Sequence, residues 1–136
     1  MAHFPSLLIV EDDMIDTKFI SNAIRKADES IEVEFARDGE DALRKLEDGP
    51  RPQIILTDLN MPRMNGHQLL KHLRAHRDWK RIPTIVLSTS SDQRDVDISY
   101  EFHANAYLTK PDSISGYDQV VSFIKSFWLE QVRLPS

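Results

Sequence analysis

The stretch Ile54-Ile55-Leu56-Thr57-Asp58 is a short run of apolar and β-branched residues that ends at a carboxylate. Runs of this length without polar alternation are typical of parallel strands that are buried on both faces. Three further runs have the same character, and each is followed by polar residues: Leu7 to Val10, Thr84 to Leu87, and Ala106 to Thr109. We therefore predict four buried parallel strands.

The segments around these runs complete a regular pattern. Ile31 to Ala36 alternates between apolar and acidic residues, which predicts a fifth strand at an edge of the sheet. Helical stripes of apolar residues lie between the runs: Phe19, Ile20, Ala23, Ile24 and Ala27; Ala42, Leu43 and Leu46; and Leu69, Leu70 and Leu73. The repeated strand and helix predict an α/β fold, a doubly wound parallel sheet of five strands with five helices.

Length and charge restrict the classes of function. The 136 residues suffice for one domain, and 17 Lys and Arg against 22 Asp and Glu give a net charge of −5. A negative protein lacks the positive potential that non-specific binding to nucleic acid or anionic lipid requires. The absence of cysteine excludes disulfides and thiolate chemistry. Met1 to Ser6 contains no Lys or Arg, and the apolar run after it is too short for a signal peptide or membrane span, so we expect a cytoplasmic protein.

Polar side chains follow the predicted central strands. Glu11, Asp12 and Asp13 follow the first, Asp58 the third, and Lys110 the fifth. The carboxyl ends of parallel strands lie at one edge of a sheet, where ligands gather. Carboxylates brought together there repel unless a cation lies between them, and oxygen ligands suit Mg²⁺. A carboxylate beside such a cation, with a lysine in reach, can accept a phosphoryl group as an acyl phosphate.

Four strings in the chain resemble the receiver domain of two-component response regulators. They are Val10-Glu11-Asp12-Asp13, Leu56-Thr57-Asp58-Leu59-Asn60-Met61-Pro62-Arg63-Met64-Asn65-Gly66, Ile82-Pro83-Thr84-Ile85-Val86-Leu87-Ser88 and Tyr107-Leu108-Thr109-Lys110-Pro111. The resemblance implies a CheY-like, flavodoxin-like fold and phosphorylation by a sensor histidine kinase. It implies a single receiver domain over residues 1–136, with a core of about 7–132 and no output domain. Such a protein catalyses only its own phosphorylation and dephosphorylation, and it switches the surface of helix 4, strand 5 and helix 5.

The resemblance also implies roles for individual residues. Asp58 is the phosphoacceptor, Lys110 pairs with the phosphoryl group, and Ser88 and Tyr107 form the switch. Thr89 remains the alternative to Ser88 as the switch hydroxyl. The implied ligands of Mg²⁺ are Asp12, Asp58, the main-chain carbonyl of Asn60 and, through water, Glu11.

Three residues depart from the family's commoner pattern, but none removes a required chemical group. Glu11 stands in place of an aspartate, Ser88 in place of a threonine, and Asp112 in place of an apolar residue after Pro111. Asp13 falls outside the implied ligand pair, and we expect it to cap the first helix.

The C-terminal region carries a second resemblance. Phe127-Trp128-Leu129 and Leu134-Pro135 look like the ends of small regulators that pair with bacteriophytochrome-type kinases, which implies a light- or redox-sensing kinase and a homodimer through this region. The region has more apolar residues than one packing stripe needs: Val120, Phe123, Ile124, Phe127 and Trp128. Either all of them pack on the chain's own sheet, or Phe127 or Trp128 contacts a partner.

Two other functions are compatible with part of the pattern. A haloacid dehalogenase-like phosphatase also uses a strand-end aspartate, but it needs an acid two residues later, where this chain has Asn60. A degenerate receiver would act only as an interaction module.

His72 and His76 have the spacing of a zinc pair, although without a third ligand nearby they are interpreted as part of a solvated basic face.

Overall fold

The structure is a computed structural model that describes residues 5–135. Five strands and five helices alternate along these residues, as the sequence predicts. The strands are Ser6–Val10 (β1), Glu32–Ala36 (β2), Ile54–Thr57 (β3), Thr84–Ser88 (β4) and Ala106–Thr109 (β5). The helices are Met14–Ala27 (α1), Gly39–Asp48 (α2), Gly66–Ala75 (α3), Gln93–Glu101 (α4) and Ile114–Phe123 (α5).

All five strands are parallel and form one sheet in the order β2-β1-β3-β4-β5. The chain moves from β1 outward to β2 and then returns to the other side of β1 to form β3. The gap between β1 and β3 is therefore the point at which the direction of winding reverses, and ligands of such sheets bind there at the carboxyl ends of the strands.

Alternate residues of the central strands contribute to two cores, one on each face of the sheet. Leu7 and Ile9 of β1 face the helices α1 and α5, whereas Leu8 and Val10 face α2 and α3. A strand that is covered on both faces has no solvated side, which explains why its sequence is continuously apolar.

The two outer strands correct part of the sequence prediction. β2 lies at an edge, as predicted from its alternation. β5 was predicted to be a buried strand, and this is wrong. It is the opposite edge strand, its first three residues are only half-buried, and Thr109 is exposed. The apolar run in its sequence does not reveal whether the strand is central in the sheet or is an edge strand whose faces are partly covered.

A π-helical segment, Ile124–Gln131, continues α5, and we call it the terminal segment. Ile124 is buried, and Val120 and Trp128 pack against the core formed with α1. Phe123 and Phe127 remain 43% and 45% exposed and stack on each other with ring centroids 5.6 Å apart. Only part of the apolar arc predicted here therefore packs on the chain's own sheet.

Candidate functional site

Main-chain hydrogen bonds extend the sheet beyond its strands and bring the polar residues together. The N–H of Asp58 donates to the carbonyl of Val10 at 3.0 Å, which keeps Asp58 beside the end of β1. The N–H of Lys110 donates to the carbonyl of Ser88 at 2.8 Å, which does the same for β5 and β4. Residues from four strand ends therefore lie at one edge, as the sequence predicts.

The ammonium group of Lys110 is the charge centre of this edge. Its Nζ lies 2.7 Å from Oε1 of Glu11, 2.8 Å from Oδ2 of Asp16 and 3.0 Å from Oδ2 of Asp58. Burial acts to lower the pKa of Lys110, but the hydrogen bonds to these carboxylates outweigh it and raise that pKa. Because an ammonium has three N–H donors, the three carboxylates can occupy all of them.

Glu11 is buried with a proton affinity above that of an ordinary carboxyl. Burial raises its pKa to about 7, against the lowering effect of hydrogen bonds from Lys110 and from the N–H of Asp13, and repulsion by Asp58 raises it further. Burial raises this pKa because a carboxylate that is removed from water favours its neutral form unless other charges compensate.

Three carboxylates are close enough to share a metal ion. Glu11, Asp12 and Asp58 each place one oxygen within 4.8 Å of the other two, and Asp12 is exposed while the other two are buried. The donors are hard oxygens, which suits a divalent cation, and the exposed Asp12 leaves one side open for water ligands. The residues present therefore fit a divalent metal site.

The two carboxylate oxygens of Asp58 have different partners. Its Oδ1 accepts a hydrogen bond from the N–H of Leu59 at 2.7 Å, while Oδ2 faces Lys110. The loop after Asp58 turns tightly, since a Cβ atom at Gly66 would collide with the main-chain carbonyl of Asp58. Glycine is therefore required where α3 begins against the main chain of Asp58.

The same loop is fastened by an ion pair that sequence reasoning missed. Asp38 is 1% exposed, and its Oδ2 accepts a hydrogen bond from Nε of Arg63 at 2.7 Å. Arg63 has a φ of 62°, an uncommon backbone conformation for a residue with a side chain. The N–H of Gly39 also donates to the carbonyl of Met64 at 2.9 Å. These contacts hold the segment that carries Asn60, whose side chain is exposed.

The predicted switch residues lie at the ends of β4 and β5. Ser88 is fully buried as the last residue of β4, whereas Thr89 is exposed. Ser88 Oγ accepts a hydrogen bond from the N–H of Ser90 at 3.2 Å. Tyr107 is half-buried, and its hydroxyl donates to the carbonyl of Ser90 at 2.9 Å. Both side chains thus contact the short loop that leads to α4.

Asp16 is a residue of the site that the sequence analysis did not identify. Its Oδ2 accepts from Lys110, and its Oδ1 accepts from the hydroxyl of Tyr117 at 2.9 Å. Burial and the neighbouring Asp16 raise the pKa of Tyr117, which remains a donor at neutral pH. Asp16 could have been identified from the sequence by its position in the first turn of α1, because that helix begins at the predicted site. Asp13 is the N-cap of that helix, as expected.

The histidine pair does not form a metal site with a third ligand among residues 5–135. His72 is exposed, and its Nδ1 lies 3.0 Å from the carbonyl of Gln68. His76 does not belong to a solvated face, which corrects the interpretation for that residue. It is half-buried, and its ring stacks on Trp79 at a centroid distance of 3.6 Å. The two histidines therefore have structural contacts of their own.

Comparison with known proteins identifies the family of this chain. Residues 7–121 match the family described as "Response regulator receiver domain". The response regulator Rcp1 of Synechocystis sp. is 39% identical over 136 residues, which cover 96% of this chain and 92% of Rcp1. No helix of residues 5–135 has the length and apolar character needed to cross a membrane.

Two solved structures are similar over almost the whole chain. The phosphorylated cyanobacterial phytochrome response regulator RcpA is 37% identical with a TM-score of 0.92, covering 99% of this chain and 100% of that one. The Mn²⁺-bound form of Rcp1 is 38% identical with a TM-score of 0.87, covering 97% of this chain and 99% of that one. With the sheet order and the site described above, these matches show that the chain belongs to the response regulator receiver domain family and acts in two-component signalling.

Proposed function

We propose that Asp58 accepts a phosphoryl group from a sensor histidine kinase in a reaction that depends on Mg²⁺. The observation that carries this proposal is the position of Asp58, whose Oδ2 lies 3.0 Å from the Lys110 ammonium and whose carboxylate belongs to the group of three that can share a metal ion. A nucleophilic oxygen with a fixed cation beside it has the groups that phosphoryl transfer needs for positioning and charge neutralisation.

In the proposed reaction, Oδ2 of Asp58 forms a bond to phosphorus as the bond between phosphorus and the kinase histidine breaks. The electron pair of the broken bond stays on the histidine nitrogen, and the product is an acyl phosphate on Asp58. Lys110 neutralises the transferred oxygens. Glu11, Asp12, Asp58 and the main-chain carbonyl of Asn60 would hold the Mg²⁺. When bound, the ion supplies charge neutralisation at the phosphoryl oxygens.

The proposed switch uses Ser88 and Tyr107. A phosphoryl group adds a charge of about −2 and three acceptor oxygens, to which the Ser88 hydroxyl can donate. Movement of Ser88 would displace Ser90, the carbonyl of which now accepts from Tyr107. The Ser90 hydroxyl also donates to Asp95 of α4 at 2.6 Å, so that the same movement would reach the surface of α4, β5 and α5.

The partner is proposed to be a phytochrome-type kinase, because RcpA, similar over nearly the full length, is a phytochrome response regulator.

A second copy of the chain is the proposed partner of the terminal segment. Phe127 of this segment and Phe123, the last residue of α5, form a stacked apolar surface there. Size-exclusion chromatography of wild type and Phe127→Ser would test the dimer.

We propose further that the chain is a single receiver domain, with a core of about 7–132, that acts in the cytoplasm. The N-terminal residues Met1 to Phe4, and Ser136, which also belong to the predicted domain, lie outside the described residues. Mg²⁺ is proposed over softer metals because all the donors at the site are oxygens.

The test is the intact mass of wild type and Asp58→Ala after incubation with acetyl phosphate, with and without MgCl₂. One added phosphoryl group on wild type alone, and only with magnesium, would support the proposal. A gain on both proteins would mean that another residue is the acceptor. If neither protein gains mass from acetyl phosphate or from a phosphorylated kinase, a degenerate receiver that acts only through binding becomes the better description.

A further inference from the structure

We propose that Asp16 is a positioning residue, which keeps the Lys110 ammonium at the phosphoacceptor when the neighbouring carboxylates are engaged by a metal ion. This inference rests on the proposed function, because it assigns a role in that reaction to a residue outside the metal group. The role is distinct from that of Glu11, Asp12 and Asp58, which supply the metal ligands.

The three partners of Lys110 are not equivalent. Glu11 and Asp58 belong to the group of carboxylates that can share a metal ion, but Asp16 does not. A divalent cation held by Glu11 and Asp58 would repel the ammonium and compete for the same oxygens. Among the partners of Lys110 described here, Asp16 alone keeps its charge free to hold the ammonium against that repulsion.

Asp16 is itself fixed from two sides, as a positioning residue must be. It lies in the first turn of α1, which Asp13 caps. Its Oδ1 accepts a hydrogen bond of 2.9 Å from Tyr117, a residue of α5 that is 3% exposed. The carboxylate therefore has little freedom to follow Lys110 if the ammonium moves, and it acts as a fixed anchor.

A second contact between the same two helices provides the control. Lys26 of α1 and Asp118 of α5 form an ion pair of 3.0 Å, with exposed fractions of 59% and 40%. Asp118→Asn removes one negative charge and one contact between α1 and α5, as Asp16→Asn does, but it does not touch Lys110. An effect of Asp16→Asn that Asp118→Asn does not reproduce is therefore specific to the site.

The experiment combines a spectroscopic signal with a rate. The ¹H–¹⁵N signal of the Lys110 ammonium is recorded for wild type, Asp16→Asn, Tyr117→Phe and Asp118→Asn, each titrated with MgCl₂ to saturation in the absence of a phosphodonor. We expect a slowly exchanging signal that survives saturation in wild type and Asp118→Asn. In Asp16→Asn it should broaden as magnesium is added, and Tyr117→Phe should show a weaker form of the same change.

The rate of phosphorylation by acetyl phosphate is then measured at saturating magnesium. Asp16→Asn should be slower by about tenfold, the factor expected for loss of one charge-assisted hydrogen bond. Tyr117→Phe keeps the carboxylate of Asp16 and removes only its hydrogen bond from Tyr117, so its rate should fall less than that of Asp16→Asn. This variant remains informative if Asp16→Asn fails to fold.

The outcomes separate this inference from the proposed function. If wild type gains no phosphoryl group from acetyl phosphate or from a phosphorylated kinase, the proposed function fails, yet the ammonium signal still decides whether Asp16 holds Lys110. An ammonium signal in Asp16→Asn and Tyr117→Phe that equals wild type at saturating magnesium would overturn the positioning role, even if the rate changes. Equal losses in Asp16→Asn and Asp118→Asn would also overturn it, because they would show a general effect of charge or helix packing.

Discussion

At the carboxyl edge of the sheet the charged side chains of Glu11, Asp58 and Lys110 are buried and paired, whereas two aromatic side chains are exposed where α5 meets the terminal segment. Lys110 has three carboxylate partners within 3.0 Å, although its side chain is only 5% exposed. Phe123 and Phe127 stack on each other and otherwise leave nearly half of their surfaces to solvent. In the first region Lys110 is paired within the chain's own fold, while the second region presents apolar surface that the chain's own core does not use.

This difference indicates that the two regions serve different kinds of function. Burying charged groups is costly even when they are paired, and a cluster of buried ionisable groups is characteristic of a functional site. Exposed aromatic surface costs little to a folded monomer, but it is characteristic of sites of contact with another protein. Substitutions in the two regions should therefore have opposite consequences for stability and for association.

The largest effect is expected from Lys110→Met. It removes the ammonium from three carboxylates, two of which are buried, and an uncompensated buried charge costs about 3–5 kcal/mol. Urea denaturation should show this loss in metal-free protein, and MgCl₂ should recover part of it because a cation replaces the lost charge. A loss that magnesium leaves unchanged would mean that packing, not charge, is the cause.

Next in size is a contrast within the terminal segment. Ile124 is 3% exposed, and Ile124→Ala should lower the free energy of unfolding by about 2–4 kcal/mol through a cavity in the core. Phe127→Ala, at a position 45% exposed, should cost less than about 1 kcal/mol. Thermal unfolding of dilute protein measures both. Equal losses would contradict the division of this segment into a packed and an exposed side.

A smaller effect is expected from Arg63→Ala. Arg63 donates to the buried carboxylate of Asp38, and loss of that donor leaves an acceptor short of a partner, which costs about 1–3 kcal/mol. The loop that carries Asn60 should also become less ordered, so that magnesium affinity falls severalfold. Calorimetric titration with MgCl₂ checks this, with Arg44→Ala, an exposed arginine of α2, as the matched control. Unchanged affinity would show that the Asp38 contact does not order the metal site.

The sequence predicted those parts of the fold that depend on local pattern. The five strands, the helices α1 to α3 and the meeting of polar residues at one edge follow from periodicity and from the geometry of parallel sheets. The position of β5 was mispredicted because Ala106 to Thr109 is apolar, and composition does not reveal that a strand has a neighbour on one side only.

Other features depend on contacts between residues far apart in the chain. Asp16 and Tyr117 are separated by 101 positions, and Asp38 and Arg63 by 25. No local pattern relates such residues, because their meeting depends on the packing of whole elements. The resemblance to receivers supplied the roles of Asp58 and Lys110, but it did not indicate Asp16, since none of the matching strings contains that residue.

The last prediction is a dependence of metal binding on pH. Burial raises the pKa of Glu11 to about 7, whereas its ordinary value is 4.5. At a pH between 4.5 and about 7, Glu11 carries a proton in the folded, metal-free protein but has lost it in the unfolded chain. The contribution of this group to stability is therefore greatest at low pH, and it declines as pH rises from 4.5 to about 7.

A cation favours the ionised carboxylate, so magnesium affinity should rise with pH and level off above about 7. Below that point each pH unit should weaken binding by at most about tenfold, because one proton competes with the metal. Calorimetric titration between about pH 5.5 and 8 measures this dependence, and Glu11→Gln, which mimics the protonated form, should bind weakly and show a flatter profile. If wild type and Glu11→Gln have the same profile, another carboxylate of the edge takes up the competing proton, and the buried position of Glu11 does not control access of the metal.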